Sequence, residues 1–131
     1  MIIKFFEINK INLNKNNLIL FYGKNEALKK EAIEKISKNE LKPINYEEKE
    51  ILDQSDEFIE SILNKSLFEN EKVIIIKRAT DKIIKILEQI KIKKIDDTII
   101  LCSDNLEKKS KLRLLFEKDK KFICVAFYPD N

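Results

Sequence analysis

Four short, unbroken apolar runs set the limits on this chain: Leu18-Ile19-Leu20-Phe21-Tyr22, Val73-Ile74-Ile75-Ile76, Thr98-Ile99-Ile100-Leu101-Cys102 and Phe122-Ile123-Cys124-Val125-Ala126. A strand with one wet face alternates apolar and polar residues, so runs without alternation fit strands covered on both faces. Between them the apolar period changes to that of a helix. From Glu26 to Lys38, Leu28, Ala32, Ile33 and Ile36 recur at helical spacing, and Glu26/Lys30, Glu31/Lys35 and Glu34/Lys38 fall four residues apart in the favourable order. Ser55 caps a second helix with Phe58, Ile59, Ile62 and Leu63 on one face, running toward Ser66-Leu67-Phe68. Thr80 caps a third helix bearing Ile83, Ile84, Leu87 and Ile90, and Ser103 or Asp104 is positioned to cap a last one bearing Leu112, Leu115 and Phe116. Pro43 precedes a weaker strand, Ile44 to Tyr46, followed by an acidic loop through Asp53.

Strands alternating with helices require right-handed crossovers. The expected fold is therefore α/β, a three-layer sandwich with a five-stranded, mainly parallel sheet between helices. A length of 131 residues with 44% hydrophobic content suits one core and one domain, residues 1–131, with no internal repeat or linker. Ending directly after a core strand is what a domain taken from a longer chain would do.

Composition narrows the function classes. The 26 Lys+Arg against 23 Asp+Glu leave a net charge of only +3, far from the footprint of a dedicated DNA-binding module. Lysine, asparagine and isoleucine are abundant together, as expected of an A/T-rich genome, which discounts each lysine cluster. No histidine is present for a zinc site or for acid/base work, and Cys102 and Cys124 stand apart beside apolar runs, as structural thiols do. No metal or other cofactor is expected. No window approaches the roughly 18 unbroken apolar residues of a membrane helix, and Met1-Ile2-Ile3-Lys4-Phe5-Phe6-Glu7 lacks the layout of a secretory signal, so a cytoplasmic location is expected.

In such folds ligands bind beyond the carboxyl ends of the strands, and a helix amino terminus following the first strand attracts phosphate. The turn here is Tyr22-Gly23-Lys24-Asn25-Glu26-Ala27-Leu28-Lys29-Lys30. Against the phosphate-loop pattern G-x-x-x-x-G-K-[ST], Gly23 and Lys29 align, while Leu28 replaces the second glycine and Lys30 the hydroxyl that would hold Mg²⁺. The metal-holding acid expected after the third strand is also missing, since Lys77-Arg78 stand there. The nucleotide site reads as degraded, and no intrinsic catalytic activity is expected. By itself Gly23 reads as a turn leading into a helix.

The order of Leu18 to Glu26, then Ser66-Leu67-Phe68-Glu69-Asn70-Glu71-Lys72 leading into Val73 to Ile76, then Asp97 to Leu101 with Leu106-Glu107-Lys108-Lys109-Ser110-Lys111-Leu112, resembles the N-terminal domain of the delta subunit of bacterial DNA polymerase III. The resemblance spans nearly the whole chain. It implies an AAA+-like, P-loop NTPase-like domain that neither binds nor hydrolyses ATP. In the family this domain precedes a helical lid and a C-terminal collar domain, both absent from this chain. It further implies a non-catalytic clamp-loader subunit that binds and opens the sliding clamp, the beta subunit, for loading onto primed DNA. Its other partners would be ATPase subunits, met through the collar, and DNA, met through the assembled complex. The family belongs to the DNA polymerase III holoenzyme, a DNA-directed DNA polymerase and so a nucleotidyltransferase complex.

The family's clamp contact is a Leu-Phe pair at the end of the helix before the third strand, which falls on Leu67 and Phe68. On helical periodicity alone Leu67 extends the buried face begun by Leu63, whereas Phe68, next to a polar turn, is a natural anchor for a partner's pocket. Lys77 and Arg78, with the groups Lys91/Lys93/Lys94, Lys108/Lys109/Lys111 and Lys118/Lys120/Lys121, are candidates for DNA contact, although charge runs are more often solvated faces. Two rival readings stand beside the clamp loader: a divergent P-loop nucleotide-binding domain, and a lysine-rich DNA-binding module.

Overall fold

The computed structural model describes residues 1–12, 17–37, 43–63, 72–92, 95 and 97–128. Six strands form one sheet: β1 (Ile2–Lys4), β2 (Leu18–Tyr22), β3 (Ile44–Glu47), β4 (Val73–Lys77), β5 (Thr98–Ser103) and β6 (Phe122–Ala126), in the order β1-β6-β2-β5-β4-β3. Every pairing is parallel. The expected five-stranded, mainly parallel sheet is thus corrected to six strands, all parallel. The added strand, β1, is three residues long and mostly exposed at the sheet edge, too short to show a period.

The helices are α1 (Glu26–Ser37), α2 (Glu48–Asp53), α3 (Ser55–Leu63), α4 (Ile84–Ile92) and α5 (Lys111–Lys118), with short 3-10 segments at Phe5–Lys10 and Asp81–Ile83. Alternation along each strand divides the core in two. Leu18, Leu20 and Tyr22 of β2, Ile74 and Ile76 of β4, and Phe122 and Cys124 of β6 pack with Ile51, Phe58, Ile62, Leu87, Leu112 and Phe116 from α2 to α5. Ile19, Phe21, Ile75, Ile100, Ile123 and Val125 face the other way, onto Ala32 and Ile36 of α1 and Ile8 of the first 3-10 segment. The three layers follow from this period-two sorting.

Three local expectations change. The acidic stretch before Asp53 is helical rather than a loop, because Glu47 and Glu50 form a reciprocal capping box, the Glu50 carboxylate accepting from the Glu47 amide at 3.1 Å. The last helix is capped by neither Ser103 nor Asp104; it begins at Lys111, and Ser110 is its cap, accepting from the Arg113 amide. On α1 the buried residues are Lys29, Ala32 and Ile36, while Leu28 and Ile33 are half-buried. Thr80 does cap its helix, its hydroxyl accepting from the Lys82 amide at 3.2 Å.

The amino terminus is tied in as well. The Met1 ammonium donates to the carbonyls of Phe116, Asp119 and Phe122 at 2.7, 2.9 and 2.7 Å, so a cation sits at the carboxyl end of α5 where the helix dipole favours one.

Candidate functional site: the turn between β2 and α1

Strands β2 and β5 are neighbours, yet α1 leaves β2 toward one face of the sheet while α5, after β5, packs on the other. Two adjacent parallel strands whose connections part in this way form a topological switch point, where a crevice opens beyond the carboxyl ends. A cleft of about 730 Å³ lies there, lined by Glu26, Lys29, Lys30, Glu34, Glu47, Lys77, Arg78, Ser103 and Asp104 among others. Lys29 and Lys30, singled out by the sequence, are brought together with Lys77 and Arg78 in this lining, whereas Gly23 lies against Phe127 and Asp104. Leu28 lies on the α1 side core instead.

The turn is already filled by the protein. Gly23 has φ +122°, a conformation that L side chains rarely adopt, and a Cβ placed on it would lie 2.0 Å from the Phe127 carbonyl oxygen. That approach is held by hydrogen bonds: the Phe127 amide donates to Tyr22 O at 2.7 Å, and the Asn25 amide donates to Phe127 O at 3.3 Å. The Gly23 amide donates to Asp104 O at 3.2 Å and the Glu26 amide to Lys24 O at 3.0 Å. The Leu28 amide donates to the Asn25 side-chain oxygen at 3.1 Å. Four donors that a phosphate loop would turn toward its anion are therefore spent on carbonyl and amide oxygens of the chain.

Lys29 is spent in the same manner. Its side chain is 4% exposed, and its Nζ lies 2.7 Å from the Glu26 carboxylate and 3.1 Å from the Ser103 carbonyl. A buried ammonium needs a counter-charge and acceptors, and here a carboxylate of its own helix and the end of β5 supply them. Apolar character marks Leu28 for the interior, although position 29 lies on the same helix face as Ala32 and Ile36. The structure buries the lysine because the crevice supplies its partners.

The end of β4 offers no acid toward the cleft. Lys77 and Arg78 are exposed there, and Arg78 has φ +56°, with its guanidinium 3.8 Å from Glu47. Glu48, which the sequence reading did not single out, is buried, but both its oxygens are taken by Thr80: the amide donates at 2.6 Å and the hydroxyl at 2.7 Å. Its only signal in the sequence is its place in an acidic run. The Ser103 hydroxyl is buried and donates to Ala79 O at 2.7 Å.

The thiols are held in unreactive form. Burial pushes Cys102 up to about 11 and Cys124 up to about 12, leaving both protonated near neutrality. Among the described residues no group of His, Cys, Asp or Glu is arranged to hold a metal ion. No helix among them is long and apolar enough to cross a membrane. Leu67, Phe68, Lys93 and Lys94 lie outside the described residues; the described chain on either side of the Leu-Phe pair is Leu63, at the end of α3, and Lys72, just before β4.

A scan against protein-family models, a search of curated proteins and a search of solved structures each returned no match.

Proposed function

We propose that this chain is the clamp-binding domain of a non-catalytic clamp-loader subunit, acting through protein contact at Leu67 and Phe68 rather than through nucleotide chemistry. The observation that carries this reading is the self-filled turn: Gly23, Asn25, Glu26 and Leu28 amides and the Lys29 ammonium all bind groups of the chain itself. Its place at the switch point of an all-parallel sheet supports descent from an AAA+-like, P-loop NTPase-like frame, since strand, glycine turn and helix stand where that motif requires them. The same geometry weighs against the divergent nucleotide-binding reading, because a phosphate would have to displace Glu26 from Lys29 and the carbonyls of Lys24, Asp104 and Phe127 from the turn amides. In this reading the protein is cytoplasmic, binds no cofactor, meets the ATPase subunits through the collar domain and meets DNA only as part of the complex, with Lys77 and Arg78 on the cleft side.

The test is binding to a bacterial sliding clamp, preferably that of the source organism. The native chain is expected to bind, and a Leu67→Ser/Phe68→Ser variant with unchanged circular dichroism to lose at least about tenfold in affinity, as aromatic anchors in a partner's pocket do. Equal binding by both would remove these residues from the contact, and no binding by either would remove the clamp as the partner of this domain.

A further inference from the structure

Helix α5 carries apolar surface beyond what its core contacts use. Leu112 and Phe116 are its fully buried pair, packed against β2 and β6, whereas Leu114 is half-buried and belongs to neither of the two core clusters. With Leu115 beside it and Ile84 across on α4, Leu114 floors a groove of about 480 Å³ between the two helices. Glu88, Lys111, Lys118 and Asp119 complete its lining.

The charge around this groove leans positive once pairing is taken into account. Asp119 is ion-paired with Lys91, Glu117 is held by Arg113 at 3.1 Å, and Glu107 lies 3.6 Å from Lys109. Lys108, Lys111 and Lys118 are exposed along the same stretch, opposed by Glu88 on the rim and by Asp81, whose carboxylate binds the amides at the start of α5. An apolar floor flanked by cations is complementary to a helix with aliphatic residues along one side and carboxylates beside them. Nucleic acid suits it less, since the leucines contribute nothing to a phosphate backbone.

We propose that the α4–α5 groove is a docking surface for an acidic amphipathic helix of a partner protein. Aliphatic side chains of that helix lie on Ile84, Leu114 and Leu115, and its carboxylates meet Lys111 and Lys118. The surface is separate from Leu67-Phe68 and stands or falls independently of the clamp reading.

The probe is a fluorescent synthetic helix carrying glutamates on one face and leucines at successive i, i+3, i+4 and i+7 positions, followed by anisotropy at low ionic strength. Leu114 lies outside both core clusters, so Leu114→Ser is expected to fold, with circular dichroism as the check. Leu114→Ser and the double reversal Lys111→Glu/Lys118→Glu are each expected to weaken binding roughly tenfold, and added salt to weaken it further. Three results overturn the proposal. The peptide fails to bind the native chain; or Leu114→Ser has no effect while a DNA duplex competes as well as the peptide, marking a general polyanion surface; or sedimentation shows self-association that the charge reversal abolishes, marking the occupant as a second copy.

Discussion

Two helices follow neighbouring strands onto opposite faces of the sheet, α1 after β2 and α5 after β5, and the protein occupies their amino ends by different means. The first is a short turn closed by backbone: Gly23 lies against the Phe127 carbonyl, and amides are matched to oxygens a few residues or one strand away. The second follows a longer connection, 104–110, and the amino end of α5 is satisfied by a carboxylate from elsewhere. Asp81 accepts from the Leu112 amide at 2.9 Å, the Ser110 hydroxyl at 3.0 Å and the Lys111 amide at 3.3 Å. Either helix start would otherwise present donors to an anion. The difference is that the first is closed by sterics and carbonyls that no change of pH can titrate, and the second by a group that acid can neutralise.

Breaking the first closure has the largest expected effect. Gly23→Ala places a Cβ on the Phe127 carbonyl in a backbone conformation that alanine resists, so a loss of about 3 kcal/mol is expected in denaturant unfolding. Lys29→Ala is expected to cost about 2 kcal/mol, because the Ser103 carbonyl loses its buried donor and the space is left unfilled. A lysine kept only for a missing phosphate would be removed at no cost, so thermal unfolding of this variant separates the two roles.

At the start of α5, Asp81→Asn is expected to cost about 1 kcal/mol at neutral pH, within the range for lost helix caps. The hydrogen bond from the Leu112 amide, with those from Ser110 and Lys111, holds the Asp81 carboxyl below its usual range against the opposing effect of burial. The unfolded chain therefore takes up this proton more readily than the folded one. The contribution is fully present above the unfolded value of about 3.9 and is lost as pH falls through the lower folded value. The stabilities of native and Asp81→Asn protein should accordingly converge as pH falls below about 4, whereas the Gly23→Ala deficit should persist. The smallest effect is a gain: Arg78→Gly relieves a left-handed residue, and a stabilisation of about 0.5 kcal/mol is expected from the same assay.

Elements whose signal is local were legible in the sequence. β2 and β6 have the bounds their apolar runs give, α1 begins at Glu26 as its pattern indicates, and Gly23 stands at a turn that needs it; Ser55, expected as a cap, is instead the first residue of α3. Whatever depends on distant partners was not legible. β1 becomes a strand only because β6 lies beside it, and the Asp81 cap reaches α5 from about thirty residues away. Lys29 shares the inner face of α1 with Ala32 and Ile36, but a lysine carries no apolar signal, and its burial depends on Ser103 and Glu26 receiving it there. The sequence spacing paired Glu26 with Lys30. The structure adds that it is the counter-ion of Lys29, and that Asn25, unremarked in the sequence, donates to Tyr128 O and accepts from the Leu28 amide to hold the turn.

Whether the protein itself occupies the phosphate turn can be decided by isothermal calorimetry of the chain with Mg-ATP. No heat of binding is expected up to millimolar nucleotide, for the native chain and for Glu26→Gln alike, because the carbonyls of Phe127 and Asp104 still hold the turn when the carboxylate is gone. Saturable binding of Mg-ATP to the native chain in the micromolar range would contradict a self-filled turn and return the nucleotide-binding reading to first place.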